Sequence, residues 1–215
     1  MSPYRYSKSQ HARSQAPIKP YDYYKRYKPA LQREFSGQCV YCRQPDYIRT
    51  YRTFHVEHYR PKSLFPALET AYSNLFYSCA PCNEMKGNYW PAAASPDFIP
   101  NPCDHVMTKH LRYAAAKVEA VSDVGKFALE LLDLNDPTVV EYREFVLHQI
   151  DLLEEKIVEI ERKIKLAVKR KNVGLMTHER AQEAIARLSE LLERQRSMLG
   201  RLDGSALAPR RRPTV

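Results

Sequence analysis

Three stretches between residues 39 and 88 decide the fold: CVYC (39–42), FHVEHYRPKS (54–63) and NLFYSCAPCNEMKGN (74–88). The first and the third each contain a Cys-x-x-Cys pair, which can offer two thiolates to one ion. Four thiolates favour a tetrahedral Zn²⁺ ion with no open position, whereas a redox-active pair or a chance pairing is the alternative. We therefore expect one structural zinc site, formed by Cys39, Cys42, Cys79 and Cys82.

The segment between the two pairs is longer than the usual zinc-ribbon spacing, which indicates an inserted structure. Residues 53–58 have the pattern of a strand that runs into a proline-containing loop, and residues 74–78 have that of a second strand. Residues 81–86 can begin a helix. The sequence thus predicts a β–loop–β–α unit. The ion would connect the segment that leads into the first strand with the junction between the second strand and the helix.

The inserted segment also carries polar side chains that a purely structural zinc ribbon does not need. Imidazoles and oxygen donors of this kind can move protons and ligate hard cations. We therefore take the segment as the candidate for catalysis, with the side chains of His55, Glu57, His58 and Asn74, and with Asn83 directly after the last cysteine.

This run of motifs resembles the HNH nuclease superfamily. The pattern of that family is an acid-His-x-x-Pro element, then Asn-Leu, then a Cys-x-x-Cys that is followed by His or Asn and by Lys. The corresponding elements here lie at residues 57–61, 74–75 and 79–86, and the likeness covers about a quarter of the chain. It implies an α+β fold with a ββα-metal core, and a metal-dependent endonuclease that hydrolyses phosphodiester bonds of nucleic acid.

The resemblance implies a role for each polar position. His58 would be the general base, and Glu57 and Asn83 would bind one catalytic Mg²⁺ or Mn²⁺ ion. Asn74 would hold the loop and orient His58. His55 lies two residues before Glu57 on the same strand face, and could be a third ligand, the base itself or part of the fold. Many family members have Asp and His where this chain has Glu57 and Asn83, so the metal preference is left open.

Lys62 and Lys86 lie near the same motifs. Either side chain could contact a phosphate of the substrate, or could be solvated with a structural role. The fifth cysteine, Cys103, is left over from the two pairs, and we expect it to be a reduced and partly buried thiol.

A closer likeness is carried by HVEHYRPKS (55–63), CNEMKGN (82–88) and LELLDLNDPTVVEYREFVL (129–147). These stretches look like the Septu-type (PtuB-like) and retron-associated HNH proteins of bacterial anti-phage operons. That resemblance extends to about residue 150. It implies an ATPase partner of PtuA type and, in a retron setting, a reverse transcriptase with its RNA–DNA product. It also implies a nuclease that is held silent until phage infection.

The formal charge of +9 is concentrated at the two ends of the chain, since residues 1–35 carry a net charge of +6 and residues 201–215 carry +3. Basic ends often meet nucleic acid, although a merely solvated tail is the alternative. Residues 1–20 look like a flexible arm. Six of the fifteen tyrosines lie in residues 1–27, where they could stack on bases or dock on the body.

The C-terminal part has the pattern of two helices. One runs from residue 137 to about 171, Asn172-Val173-Gly174 interrupts it, and a second runs over about 178–199. This pattern predicts an antiparallel helical hairpin that could pack on the body, dimerise or hold a partner. The first helix has a coiled-coil seam of apolar residues in steps of three and four, at Ile150, Leu153, Ile157, Ile160 and Ile164.

We expect four regions: a basic, Tyr-rich N-terminal arm (1–36), a zinc-stapled nuclease domain (37–136), the coiled-coil hairpin (137–200) and a basic tail (201–215). Within the second region, residues 109–122 suggest a β-hairpin and residues 124–134 a helix. No apolar run reaches the roughly 18–20 residues that span a bilayer, and the first 20 residues have no secretion signal, so we expect a cytoplasmic protein.

Two other functions fit the same sequence. One is a non-catalytic, nucleic-acid-binding zinc module whose basic ends supply affinity, and the other is an assembly subunit whose helical hairpin is the main functional part. The assembly role is compatible with nuclease activity. Because sites of the HNH type grip the phosphate backbone, the motifs do not distinguish DNA, RNA or tRNA as the substrate.

Overall fold

The computed structural model describes residues 2–7, 13, 19–49, 53–93, 95–104 and 106–203. The expected basic tail therefore lies outside the described residues from 204 onwards, as does part of the N-terminal arm. The fold is α+β, with a ββα core and a long C-terminal helical hairpin, which confirms the predicted class. Its elements are α1 (Lys28–Glu34), α2 (Asp46–Arg49), β1 (Phe54–His58), β2 (Leu75–Cys79), α3 (Ala80–Lys86), β3 (Leu111–Ala114), β4 (Lys117–Ala120), α4 (Asp123–Leu131), α5 (Pro137–Asn172) and α6 (His178–Leu202).

The ββα unit forms as the sequence predicts. Strands β1 and β2 pair antiparallel, from Phe54 opposite Cys79 to His58 opposite Leu75. All five residues of β2 are buried, so this strand lies in the centre of the core. Helix α3 follows β2 directly, with Cys79 as its N-cap residue and a proline in its first turn, a position that lacks an intrahelical partner anyway.

The N-terminal tyrosines pack against the body of the protein. Tyr4 and Tyr6 are buried, and the Tyr6 hydroxyl donates a hydrogen bond of 2.7 Å to the Tyr41 carbonyl. The Tyr6 ring also stacks on the ring of Tyr113, with 5.3 Å between centroids. The expectation of a flexible arm is therefore wrong at these residues, because burying large aromatic rings stabilises the docked segment.

Between the core and the hairpin lie the predicted β-hairpin, formed by β3 and β4, and the helix α4. The Asn135 side chain continues the sheet, since it bonds both the N–H and the carbonyl of Val118 at 2.8 Å. Asp136 then caps α5 by accepting hydrogen bonds from the N–H groups of Thr138 and Val139. This cap is the helix start that the Asn-Asp-Pro sequence predicts.

The helices α5 and α6 form the predicted hairpin. Ile150 and Ile160 of the seam are buried, and Leu192 on α6 is buried as well. The open end of the hairpin packs on the body, where Leu199 of α6 joins a cluster around Val146 and Ile150.

A buried arginine connects the first turns of α5 to the body. The Arg143 Nη1 group donates to the carbonyls of Ala116 and Leu134, at 3.1 and 2.8 Å. The base of the hairpin is thus joined to the β3–β4 connection by hydrogen bonds from a fully buried side chain. None of the helices in the described ranges is both long and apolar enough to cross a membrane.

Substitution within the hairpin seam tests the packing of α5 on α6. Ile160→Ala should lower the free energy of unfolding by about 2–4 kcal/mol, because Ile160 is only 1% exposed and the smaller side chain leaves a cavity. Val158→Ala, two residues away and 64% exposed, is the matched control and should change stability by less than about 0.5 kcal/mol. Urea denaturation followed by helical circular dichroism measures both, and equal effects would contradict the observed packing.

Candidate active site

The four paired cysteines come together in one buried cluster, with all four sulfur atoms within 4.8 Å of one another. The sulfurs of Cys42 and Cys79 are 3.6 Å apart. Tetrahedral Zn²⁺ with Zn–S bonds of about 2.3 Å places its sulfur ligands about 3.8 Å apart. The cluster formed by Cys39, Cys42, Cys79 and Cys82 therefore has the composition and the spacing to hold one zinc ion.

Two buried arginines give independent support for a metal at this cluster. Arg43 and Arg143 are fully buried, and within the described ranges the Nε and Nη1 atoms of Arg43 and the Nε and Nη2 atoms of Arg143 have no hydrogen-bond partner. Burial lowers the pKa of Arg43 to about 10, against the opposing effect of the Cys39 thiol nearby, so this guanidinium is still charged at neutral pH.

The charge of these arginines fits a tetrathiolate site. Arg143 lines a small cavity together with Cys42, Cys79 and Cys82. Four thiolates with one Zn²⁺ ion carry a net charge of −2, which two guanidinium groups neutralise. Four neutral thiols would leave both cations without a counter-charge in the core, and a buried charge of that kind is costly.

The cluster fixes the ββα unit at its centre. Cys79 is the last residue of β2 and Cys82 lies in the first turn of α3. The first cysteine pair approaches this junction from the other side, where the Val40 N–H donates to the Tyr77 carbonyl at 2.9 Å. An ion held by all four sulfurs therefore sets the position of β2 and α3 relative to the first pair.

Four of the five candidate residues line one open cleft of about 450 Å³ beside the ββα unit: His55, Glu57, His58 and Asn83. The cleft is also lined by three lysines: Lys25, Lys28 and Lys62. The fifth candidate, Asn74, is buried directly before β2 and is not among the residues that line this cleft. Oxygen donors, imidazoles and cations in one cleft are suited to holding a phosphate diester and a divalent cation.

The His58 ring is held in one tautomer. Its Nε2 atom lies 2.9 Å from the carbonyl oxygen of Glu69. Because a carbonyl only accepts, Nε2 carries the proton and Nδ1 holds the lone pair. Burial lowers the pKa of His58 and so favours the neutral ring. Tyr24 packs its ring edge-on against the imidazole, with 4.7 Å between centroids.

Glu57 is buried and paired with Lys86. The Lys86 ammonium lies 2.6 Å from Glu57 Oε1 and donates a second bond of 2.9 Å to the His58 carbonyl. Burial raises the pKa of Glu57 to about 7, although Lys86 acts in the opposite direction. The expectation of a solvated Lys86 is therefore wrong, because its side chain is buried. Its contacts are structural, since they connect α3 to the end of β1.

The other lysine of the motif behaves differently. Lys62 is exposed and pairs with the carboxylate of Glu69 at 3.2 Å. Its ammonium also lies 4.7 Å from the centre of the Tyr24 ring. The Lys62 side chain therefore lines the cleft with its ammonium exposed, and this ammonium can contact a phosphate of a bound substrate.

Asn74 closes the loop that follows β1. Its Oδ1 accepts from the Arg60 N–H at 2.8 Å, and its Nδ2 donates to the carbonyls of Arg60 and Leu68 at 3.0 and 3.3 Å. The neighbour of Leu68 is Glu69, which supplies the acceptor for His58. Asn74 thus lies where the loop-holding role that the sequence suggested would place it.

The sequence did not indicate that the N-terminal segment forms a wall of the cleft. Tyr24 and Lys25 lie in a short 3-10 helix, Tyr24–Tyr27, and Lys28 begins α1 directly after it. The YKRYK run was visible as a Tyr/Lys/Arg cluster, but nothing in the spacing connects it to β1. Its contact with His58 arises from tertiary packing.

The donors in the cleft also fit a catalytic cation. Glu57 has two carboxylate oxygens, and the pairing of Oε1 with Lys86 leaves a second oxygen that could serve as a ligand. Asn83, whose side chain carries an amide oxygen, and His55, whose side chain is an imidazole, line the same cleft. Hard oxygen donors with few protein ligands suit Mg²⁺ or Mn²⁺.

Comparison with known proteins identifies the same region. Residues 39–89 match the family model of the HNH endonuclease, which spans about a quarter of the chain. No curated protein and no solved structure matches the chain. The chain therefore contains an HNH endonuclease domain with a four-cysteine cluster.

Metal analysis tests the four-cysteine cluster. We expect one zinc ion per purified chain, and Cys82→Ser should lose it because a structural site needs all four thiolates. The matched control is Cys103→Ser, at the partly buried thiol outside the cluster, which should retain full zinc content. Elemental analysis by mass spectrometry measures both variants. Zinc that persists at one equivalent in Cys82→Ser would rule out the four-sulfur site.

Proposed function

We propose that this chain is a metal-dependent endonuclease that hydrolyses phosphodiester bonds of nucleic acid. The proposal rests on the state and the position of the His58 ring. The ring is held with its proton on Nε2 and its lone pair on Nδ1, and it lines the same cleft as Glu57 and Asn83. The match of residues 39–89 to the HNH endonuclease family supports it.

His58 acts as the general base in this proposal. Its Nδ1 accepts a proton from the attacking water, and the Glu69 carbonyl bonds Nε2–H throughout and so stabilises the ring as it gains charge. The depressed pKa keeps the ring neutral and ready to accept a proton. Asn74 holds the loop that carries the Glu69 carbonyl, and is therefore a positioning residue.

Glu57 and Asn83 would hold the catalytic Mg²⁺ or Mn²⁺ ion, with His55 beside them as a further ligand. The bound cation would supply positive charge at the scissile phosphate. The pairing of Lys86 with Glu57 keeps this carboxylate in place at the end of β1. Lys25, Lys28 and Lys62 line the cleft where the phosphates on either side of the scissile bond would lie. The thiolate-bound ion is proposed to be Zn²⁺ with a purely structural role.

The wider setting that we propose is an anti-phage defence complex, in which this chain is the nuclease subunit beside an ATPase of PtuA type. Support comes from the resemblance of residues 55–63, 82–88 and 129–147 to Septu-type and retron-associated HNH proteins. In that setting the hairpin (137–200) would be the docking element, and residues 37–136 the nuclease domain.

Cleavage of supercoiled plasmid and of total RNA with Mg²⁺ or Mn²⁺ tests the nuclease proposal. His58→Ala should reduce cleavage by at least about 100-fold, because it removes the proton acceptor, while the zinc content stays at the wild-type level. His178→Ala, at the exposed start of α6, is the matched control and should cleave normally.

His55→Ala decides between the two histidines. As an additional ligand, His55 should mainly affect the concentration of Mg²⁺ or Mn²⁺ needed for half-maximal cleavage. If His58→Ala still cleaves while His55→Ala does not cleave even at saturating metal, then His55 is the general base and His58 is not.

A further inference from the structure

A second pocket lies directly behind the wall of the cleft. It has a volume of about 520 Å³ and is lined by Tyr59 and Arg60, which follow the cleft residue His58 in the chain. Lys86 lines it as well, and the Lys86 ammonium contacts Glu57 of the cleft. We call this the aromatic pocket. Because consecutive Cα atoms are only 3.8 Å apart, one segment of backbone separates it from the candidate catalytic base.

The walls of the aromatic pocket are rings with fixed positions. Tyr59 and Trp90 meet edge to face, with 5.5 Å between centroids and an interplanar angle of 88°. The Tyr59 hydroxyl donates to the Ile99 carbonyl at 2.7 Å, which fixes the ring. Tyr89 and Phe98 complete the aromatic part of the lining. Flat, fixed rings around an open space favour a flat aromatic ligand.

The pocket also has a cation at its rim. The exposed Arg60 guanidinium lies 5.4 Å from the centre of the Trp90 ring and 5.8 Å from that of Phe65. Its backbone is fixed on both sides by Asn74. Aromatic walls with an arginine at the entrance match the two parts of a nucleotide, since the rings can stack on the base and the guanidinium can pair with a phosphate.

The lining of the aromatic pocket also includes polar side chains. Ser73 and Asp104 are exposed, and both line the pocket. A hydroxyl and a carboxylate offer hydrogen bonds to the edge of a base, which a purely apolar extension of the core would not need. The pocket therefore combines stacking surfaces with edge contacts.

We propose that the aromatic pocket receives one unpaired base of the substrate strand whose scissile phosphate lies in the cleft. This inference rests on the proposed nuclease function and narrows its substrate class. A base within a duplex is stacked on both faces and paired at one edge, and it must be unstacked and unpaired before it can enter. The preferred substrate is therefore single-stranded, or locally unpaired, DNA or RNA. Stacking on aromatic side chains should strengthen binding by about tenfold to a hundredfold over the same backbone without the base.

Trp90 is the only tryptophan of the chain, so its fluorescence reports on the pocket directly. The wild-type, zinc-loaded protein is titrated without Mg²⁺ or Mn²⁺, so that binding is measured without cleavage. The probes are a short single-stranded oligonucleotide, the same strand with abasic sites, and its duplex. The single strand should quench Trp90 and bind at least about tenfold more tightly than either of the other two. Equal binding and equal quenching by the abasic strand would overturn the proposal.

Variants give a second, independent measurement. Trp90→Ala should lower kcat/KM on the single strand by at least about tenfold, and Trp90→Phe should recover most of the loss because it restores a stacking ring. Tyr47→Ala, at an exposed aromatic residue outside the pocket, should cleave as the wild type does. Zinc content and circular dichroism establish that each variant is folded.

The two proposals fail separately. If the protein shows base-dependent quenching of Trp90 but cleaves nothing under any metal condition, base binding in the aromatic pocket is supported and the nuclease function is refuted. If duplex and single strand are cleaved at equal rates, and these rates are unchanged in Trp90→Ala, the nuclease function is supported and base binding in the aromatic pocket is refuted.

Discussion

The rest of the structure depends on the closure of four cysteine sulfurs around one position in the core. Cys79 ends the strand that pairs with β1, and Cys82 lies in the first turn of the helix that carries Asn83 and Lys86. The buried guanidiniums of Arg43 and Arg143 suit the negative charge that a zinc tetrathiolate would place there. Because Arg143 belongs to α5, the same guanidinium also connects the helical hairpin to the carbonyls of Ala116 and Leu134 in the body of the protein.

Three sets of hydrogen bonds to the backbone hold His58 and the loop that follows it. The Lys86 ammonium on α3 donates to the His58 carbonyl, and the Asn74 side chain bonds the backbone of Arg60 in the loop after β1. The Glu69 carbonyl sets the imidazole tautomer. These contacts hold the His58 imidazole in one orientation, which is the arrangement that the proposed proton transfer at a defined atom would require.

The sequence predicted the parts of this site that depend on local spacing. The Cys-x-x-Cys pairs, the β–loop–β–α order and the cap at Asp136 are encoded over a few residues, and the structure has them. The buried role of Lys86 and the docking of Tyr4, Tyr6 and Tyr24 were not predictable in this way. Each results from packing between segments distant in the chain, where a polar or aromatic residue gives the same local signal whether it is buried or solvated.

In the proposed mechanism, a sulfur-bound ion assembles a hydrolytic site that uses a different cation. The most direct measurement is cleavage by protein from which the zinc has been stripped by a chelator, assayed in excess Mg²⁺ or Mn²⁺ after the chelator is removed. We predict that cleavage is lost and returns on addition of one equivalent of Zn²⁺, because β2 and α3 are no longer held against the first cysteine pair. Cleavage at the full rate by the zinc-free chain would show that the hydrolytic site does not depend on the sulfur-bound ion.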